Sequence, residues 1–186
     1  MTYFNSSQCR DLSKARNWGA EKSRGEYIAF FDGDDLWSSN WLTACYNIAK
    51  NATKDVVYHP EASLYFDQMH QAFFHIDSEE ENFCRWDLLE NNYWTSQVFL
   101  KRQIFLENPQ YPLNIDKGFG YEDWQWNCNT LGKNIQHKTV SGTYHFIRVK
   151  KTGLTAMLKR NNCILPPVAL FKTLLDQEVL QKNFIG

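Results

Sequence analysis

Hydrophobic and polar positions alternate along the chain in blocks that predict helices and strands in turn. Residues 11–24 carry apolar side chains along one side, which is typical of a helix, and residues 26–31 form an apolar run. Such a run predicts a strand covered on both faces of a mostly parallel sheet. Residues 41–50 follow with a second helical pattern, whose apolar positions are Trp41, Leu42, Cys45, Ile48 and Ala49. This order of elements favours an α/β fold.

The rest of the chain continues the alternation with shorter elements. It predicts strands at 55–58 and 64–66, a short helix near 85–91, a loop at 108–112, a helix at 122–132, a strand at 142–148 and a helix from residue 166 onward. We expect one domain over residues 1–165. Residues 166–186 are predicted to form a C-terminal helix that packs on this domain.

Three acidic residues follow the 26–31 run directly. Ligands bind at the C-terminal ends of strands in α/β sheets, so Asp32, Asp34 and Asp35 are candidate site residues. Asp32 and Asp34 are two residues apart and can point at one spot, and Gly33 lets the backbone approach a ligand closely. Carboxylate oxygens suit Mg²⁺ or Mn²⁺ shared with a substrate phosphate. The sequence therefore predicts a metal and phosphate site at this strand end.

A second acidic pair lies in the stretch GFGYEDWQWNC, residues 118–128. Glu122 and Asp123 stand in a first helical turn, where the helix dipole favours negative charge, so helix-start chemistry alone is one explanation. Trp124 and Trp126 are two residues apart and lie on opposing sides of a helix. One of them is therefore predicted to line a cleft, where an aromatic ring beside a carboxylate suits sugar binding.

The predicted strand at 142–148 carries a histidine among aromatic residues. Its alternation places Tyr144, Phe146 and Arg148 on one face and His145 on the other. Two roles stay open for His145. It is either a hydrogen-bonded structural group or an imidazole that completes a metal site begun by the aspartates.

Composition and charge narrow the class of protein. The chain has 186 residues, of which 43% are hydrophobic and 16% aromatic, so it can bury a core. A formal net charge of −1 disfavours nucleic-acid binding, and five cysteines without a C-x-x-C pair disfavour a disulfide framework or a zinc knuckle. No apolar stretch is long enough to cross a membrane. We expect a cytoplasmic protein, with a peripheral position at the inner face of a membrane as the alternative.

Residues 13–37, SKARNWGAEKSRGEYIAFFDGDDLW, resemble the middle of a family 2 glycosyltransferase. The GT-A fold of that family places an Ala-Arg-Asn helix, a Gly-Glu-Tyr-Ile strand and an Asp-x-Asp metal motif in this order. The stretch GFGYEDWQWNC resembles its acceptor-site Glu-Asp motif, and TYHFIR resembles a C-terminal segment that can supply a metal-ligating histidine. The resemblance covers residues 13 to about 150. It implies a GT-A-like mixed, mostly parallel sheet flanked by helices.

The resemblance also implies roles for individual residues. The catalytic pair would be Asp123, as the base, and Glu122. Donor-binding residues would be Asp32, Arg16, Asn17 and Asp35. The ligands of a Mn²⁺ or Mg²⁺ ion would be Asp34, Asp32 and His145. The residues that contact the acceptor would be Trp37, Trp124 and Trp126.

The implied reaction is the inverting, metal-dependent transfer of a sugar from a nucleotide-diphosphate sugar to a saccharide or other hydroxyl acceptor, as in polysaccharide biosynthesis. Asp123 would remove the proton of the acceptor hydroxyl. A divalent ion on Asp34 would stabilise the charge of the leaving diphosphate. Asp-x-Asp after a strand is also found in phosphohydrolases of the haloacid dehalogenase type, which expect Asp-x-Asp-Gly-Thr where this chain has Asp-Gly-Asp-Asp-Leu.

The sequence departs from that family at its N-terminus. Only 12 residues precede Ser13, whereas the family has a strand, helix, strand and helix there that form most of the nucleotide-base pocket. We therefore expect an N-terminally truncated sheet whose edge, beside the 26–31 strand, is open to self-association or to a partner chain. An alternative function follows, in which the chain is a non-catalytic remnant that binds saccharides or acts as an interaction module.

Overall fold

The computed structural model describes residues 11–184, and side chains as far as residue 177. The α-helices are α1 (Leu12–Lys22), α2 (Trp41–Ala49), α3 (Arg102–Glu107), α4 (Glu122–Gly132), α5 (Leu154–Arg160) and α6 (Ala169–Phe184). The strands are β1 (Tyr27–Ala29), β2 (Leu36–Trp37), β3 (Val56–Asp67), β4 (Gln71–Phe74), β5 (Phe99–Lys101) and β6 (Gln136–Val149). Two short 3-10 helices lie at Asp87–Leu89 and Ile115–Lys117. The first ten residues of the predicted domain lie outside the described part.

One mixed sheet organises the fold. Its strand order is β1-β5-β3-β6-β2, and β4 pairs with β3. The long central strands β3 and β6 run parallel, and the other pairings in residues 11–184 are antiparallel. The α/β class and the GT-A-like mixed sheet are confirmed. Parallel pairing is confined to the centre because strands such as β4 return on their neighbours as hairpins, and an apolar pattern reports burial but not direction.

Helices cover both faces of this sheet. Successive residues of a strand point to opposite faces. In β3, Val57 packs with α1 and α3, whereas Val56 and Tyr58 pack with α2. The sheet therefore lies between two apolar layers, and its strand ends are free to carry polar side chains.

Two strand predictions need correction. The expected strands at 55–58 and 64–66 are one strand, β3, which is irregular between Pro60 and Ala62. Proline has no N–H to donate and is typical of such irregularities. The 26–31 run was expected to be buried on both faces, but β1 covers three residues and only Ile28 among them is buried. The run ends in an exposed loop, where Phe31 is 43% exposed.

The C-terminal helix α6 packs against α4. Leu170 and Leu174 of α6 are buried in a cluster with Cys128 and Leu131 of α4. The helices approach closely at Gly132, where an added Cβ would lie 3.1 Å from the backbone nitrogen of Leu170. None of the helices in residues 11–184 is both long and apolar enough to cross a membrane.

Candidate active site

A buried arginine joins the two acidic motifs. Arg16 lies on α1 and is 6% exposed. Its Nη2 donates to Asp32 Oδ1 at 2.9 Å and to Oδ2 at 3.2 Å, and its Nη1 donates to Glu122 Oε1 at 3.1 Å. Asp11 caps the first turn of α1 by accepting from Lys14 N at 2.9 Å. The strand-end acids and the start of α4, about 90 residues apart in sequence, therefore meet at one guanidinium group.

This cluster contains more acid than base. Burial disfavours the charged form of Arg16, but the carboxylates of Asp32 and Glu122 outweigh it and raise the pKa of Arg16. Burial and the neighbouring Asp123 raise the pKa of Glu122 to about 7, against the opposing effect of Arg16. Burial also raises the pKa of Asp123, which remains half-buried at the surface. The pair Glu122 and Asp123 can therefore hold a proton near neutral pH.

The three acids of the 32–35 loop point to different partners. Asp32 accepts from Arg16 and, at 3.3 Å, from Ser96 Oγ. Asp35 is buried and accepts from Arg148 N at 2.9 Å. Asp34 lies at the surface, where its Oδ2 is 2.6 Å from Lys150 Nζ, and the hydrogen bond from Lys150 lowers the pKa of Asp34. The loop therefore presents one surface carboxylate beside two that are held inward.

His145, a predicted metal ligand, is buried and paired within the chain. It is 1% exposed. Its Nε2 lies 2.9 Å from Asp35 Oδ2, and its Nδ1 lies 3.2 Å from Thr95 Oγ1. An ion could therefore bind His145 only by displacing one of these partners. The contact with Asp35 joins the acidic loop to β6, which is the kind of contact expected of the structural role that the strand pattern left open.

The residues present fit a divalent ion in only one way. In residues 11–184, no three His, Cys, Asp or Glu side chains are grouped so that they could hold a metal. Asp34 has the most exposed side chain of the loop acids, at 40% against 31% for Asp32, and Asp32 is already paired with Arg16. An ion bound there would need most of its oxygen ligands from substrate phosphates and water, which is an arrangement that Mg²⁺ tolerates well.

Asn17 also has a different partner from the one predicted. Its Nδ2 donates to Gln110 O at 2.8 Å, and its Oδ1 accepts from Gln110 N at 2.9 Å. Both ends of the amide are thus used to fasten the 108–112 loop to α1. Asn17 therefore supports the site wall, and a donor could contact its amide only by replacing Gln110.

The three predicted acceptor tryptophans have different surroundings. Trp126 is 4% exposed, packs on Phe105 and donates its Nε1 to a backbone oxygen, so it belongs to the core and not to a sugar site. Trp124 is half-buried and contacts Tyr121 edge to face. Trp37 is half-buried, with its ring 4.3 Å from that of Phe31. Trp124 is thus the partly exposed tryptophan of α4, although its Nε1 donates to Leu88 O at 2.6 Å.

Two further residues near the acidic side chains were not predicted from the sequence. Tyr65 of β3 has a raised pKa because of burial and, to a smaller extent, the negative charges of Asp123 and Asp35, so it lies within electrostatic range of both acidic motifs. Tyr121 precedes α4 with a left-handed backbone, φ 63°, a conformation that non-glycine residues rarely adopt outside functional or tightly determined positions. Tyr121 has no sequence signal beyond its place directly before Glu122, and Tyr65 is far in sequence from both motifs.

The model of glycosyl transferase family 2 matches residues 1–122, which is more than half of the chain. A relative, the cholesterol galactosyltransferase of Borreliella burgdorferi, is 41% identical over 46 residues. That match covers 25% of this chain and 13% of the relative. With the matched range holding Arg16, the acidic loop and Glu122, the chain belongs to glycosyl transferase family 2.

Proposed function

We propose that this chain transfers a sugar from a nucleotide-diphosphate sugar to a hydroxyl acceptor with inversion at the anomeric carbon. The observation that carries the proposal is the guanidinium of Arg16, which holds Asp32 and Glu122 in one cluster. A donor bound at the 32–35 loop and an acceptor bound at the start of α4 would then meet over this cluster. Family membership supports the reaction class.

Asp123 is the proposed base. It is half-buried, and burial raises its pKa, so it takes up a proton more readily than a solvated aspartate. A base whose pKa lies nearer the working pH is more effective in proton transfer. Glu122 is 5% exposed and is paired with Arg16, so we assign it to positioning. The acceptor oxygen would lose its proton to Asp123 while it attacks the anomeric carbon, and the diphosphate would leave on the opposite side.

Asp34 is the proposed contact for a Mn²⁺ or Mg²⁺ ion that a donor diphosphate carries. Such an ion stabilises the charge that develops on the leaving phosphate oxygens. Lys150 would have to release Asp34 first, and its ammonium group is then free to bind a phosphate oxygen. We assign Asp32 and Asp35 to shaping the donor loop, and Trp37 and Trp124 to the acceptor side.

The test is donor binding and turnover. Calorimetric titration with UDP-, GDP- and dTDP-sugars, with and without Mn²⁺, measures the first, and release of nucleoside diphosphate measures the second. A galactosyl donor comes first, because the matched relative is a galactosyltransferase. We expect Asp34→Asn to weaken Mn²⁺-dependent binding. We expect Asp123→Asn to lower turnover by about 10²-fold or more while donor binding persists.

Asp55→Asn is the matched control, because Asp55 is exposed and lies away from the cluster. It should bind and turn over donors as the unchanged chain does. Absence of any metal-dependent donor binding would favour the second candidate, a saccharide-binding remnant without catalysis. Undiminished turnover in Asp123→Asn would remove that residue from the role of base.

A further inference from the structure

An apolar cavity of about 630 Å³, open to solvent, with Ile164 63% and Phe171 48% exposed, lies apart from the acid cluster. Its walls come from the 3-10 helix Asp87–Leu89 with the preceding Trp86, from the 164–168 segment, and from Phe171 of α6. The volume is within the range of small-molecule sites, which are concave and mostly apolar. Most of its C-terminal wall, residues 164–171, lies beyond the part of the chain that the family model matches.

The cavity wall is continuous with the segment that carries the proposed base. Phe119 lines the cavity. The backbone beside it is fixed, because Gly120 N donates to Ile164 O at 3.1 Å and Ile164 N donates to Gly118 O at 2.9 Å. Asp123 follows Phe119 by four residues, which span at most about 14 Å even when extended. The α carbons of Phe119 and Asp123 therefore lie within about 14 Å of each other, a distance that one ligand with an alkyl chain can span.

The lining restricts the charge of the occupant. Aromatic, aliphatic and proline side chains form nearly all of it, and the charged residues among those that line it are Asp87 and Glu90. Both are acidic and exposed at the rim. No lysine or arginine lines the described cavity. The two carboxylates would repel a lipid phosphate, whereas a neutral apolar group has no charge to be repelled and no polar group to desolvate.

We propose that this cavity holds the apolar part of a neutral amphiphilic acceptor, whose hydroxyl or sugar head group lies at Asp123. This inference rests on the proposed function and specifies its acceptor class. Apolar contacts in the cavity would supply binding energy far from the reacting atoms and orient the head group. Trp124 is the aromatic side chain nearest in sequence to place a sugar ring beside the base.

The experiment compares dodecyl maltoside, below its critical micelle concentration, with maltose. A brominated form of the detergent quenches nearby tryptophan fluorescence, and Trp86 lines the cavity. We expect the Kd of dodecyl maltoside to lie at least about tenfold below that of maltose, because apolar surface is buried. Phe171→Ser and Ile164→Ser should remove most of this difference in Kd between dodecyl maltoside and maltose.

Matched controls are available on the same surface. Leu175→Ser changes an exposed residue of α6 outside the cavity, and Ile48→Ser changes an exposed isoleucine of α2. Neither should alter the Kd. Equal effects in the cavity and control variants would overturn the proposal, and so would tighter binding of dodecyl phosphate than of dodecyl maltoside. A concentration-dependent dimer in sedimentation, abolished by Phe171→Ser, would also overturn it in favour of a second copy of the chain.

Failure of this inference is distinguishable from failure of the proposed function. Turnover of a nucleotide sugar that depends on Asp123 but gains nothing from the alkyl chain would refute the cavity proposal alone. Cavity-dependent detergent binding without any donor binding would refute the transferase proposal and leave a binding site for neutral amphiphiles.

Discussion

Replacing Glu122 by glutamine should change how the stability of the protein depends on pH. Glu122 is 5% exposed, and its pKa is raised from 4.5 to about 7. A carboxyl group whose pKa is higher in the folded state stabilises the fold when protonated. That stability is fully present below pH 4.5 and is lost as pH rises toward 7. Glutamine keeps the shape of the protonated acid and does not titrate.

The size of the effect follows from these two pKa values. Linkage gives a loss of about 2 to 3 kcal/mol from Glu122 between pH 5 and pH 8. The free energy of unfolding of Glu122→Gln minus that of the unchanged protein should therefore rise by this amount over the same range. Taking the difference cancels other titrating groups, except for any change that the substitution causes at Asp123.

Urea unfolding followed by tryptophan fluorescence, at intervals from pH 5 to pH 8, measures the difference. Glu21→Gln is the matched control, because Glu21 is an exposed glutamate of α1. The difference in free energy of unfolding between this variant and the unchanged protein should not depend on pH. A flat difference for Glu122→Gln, or one that falls as pH rises, would show that Arg16 keeps Glu122 charged and would refute the shared-proton argument.

Three further predictions concern the groups around this cluster. Arg16→Lys should lower the free energy of unfolding by about 2 to 3 kcal/mol at pH 8, because an ammonium group cannot bridge two carboxylates. This loss should be smaller at pH 5. Equal losses at the two pH values would contradict a bridge from Arg16 to both carboxylates. His145→Leu should lower the free energy of unfolding by about 1 to 3 kcal/mol, because it leaves the buried Asp35 with one partner fewer. The Mn²⁺ concentration for half-maximal donor binding should not change. A tenfold rise in that concentration would indicate that His145 is a metal ligand. Burial lowers the pKa of His137 from 6.5 to about 3, so acidification from pH 6.5 to 5 should lower the free energy of unfolding by about 2 kcal/mol through this residue. His137→Gln should lack that loss. If urea unfolding gives the same pH dependence for the variant and the unchanged protein, the prediction is wrong.

Much of the fold could be predicted from local pattern. The helix at 11–24 is α1, the helix at 122–132 is α4 with the same bounds, and the acidic residues do follow a strand. Helical spacing predicted reliably that a helix is present, but it predicted less reliably which of its residues are buried. In α2, Trp41 and Cys45 are buried, whereas Leu42 and Ile48 are about half exposed. Local periodicity reports which residues share a face, and the neighbouring elements determine whether that face is covered.

The tryptophan pair of α4 shows the same limit. Spacing of two residues indicated opposing sides of a helix, and the structure agrees. Trp126 lies in the core, whereas Trp124 is half-buried against the cluster that joins α4 and α6. The spacing could not tell which ring faces inward. That depended on Phe105 and Asn108, which lie some twenty residues earlier and pack against Trp126 or accept its N–H.

The sequence by itself determined the acidic residues at a strand end, the acidic start of α4 and the family to which both motifs point. Only the tertiary structure decided what each acid does. Arg16 and Glu122 are 106 residues apart, and Asp35 and His145 are 110 apart, so their pairing depends on how the sheet and helices pack. Burial then sets the charge states, because a carboxylate removed from water must find a partner or take up a proton. Asp34 remains at the surface and pairs with Lys150, while Glu122 is buried beside Arg16 with a raised pKa.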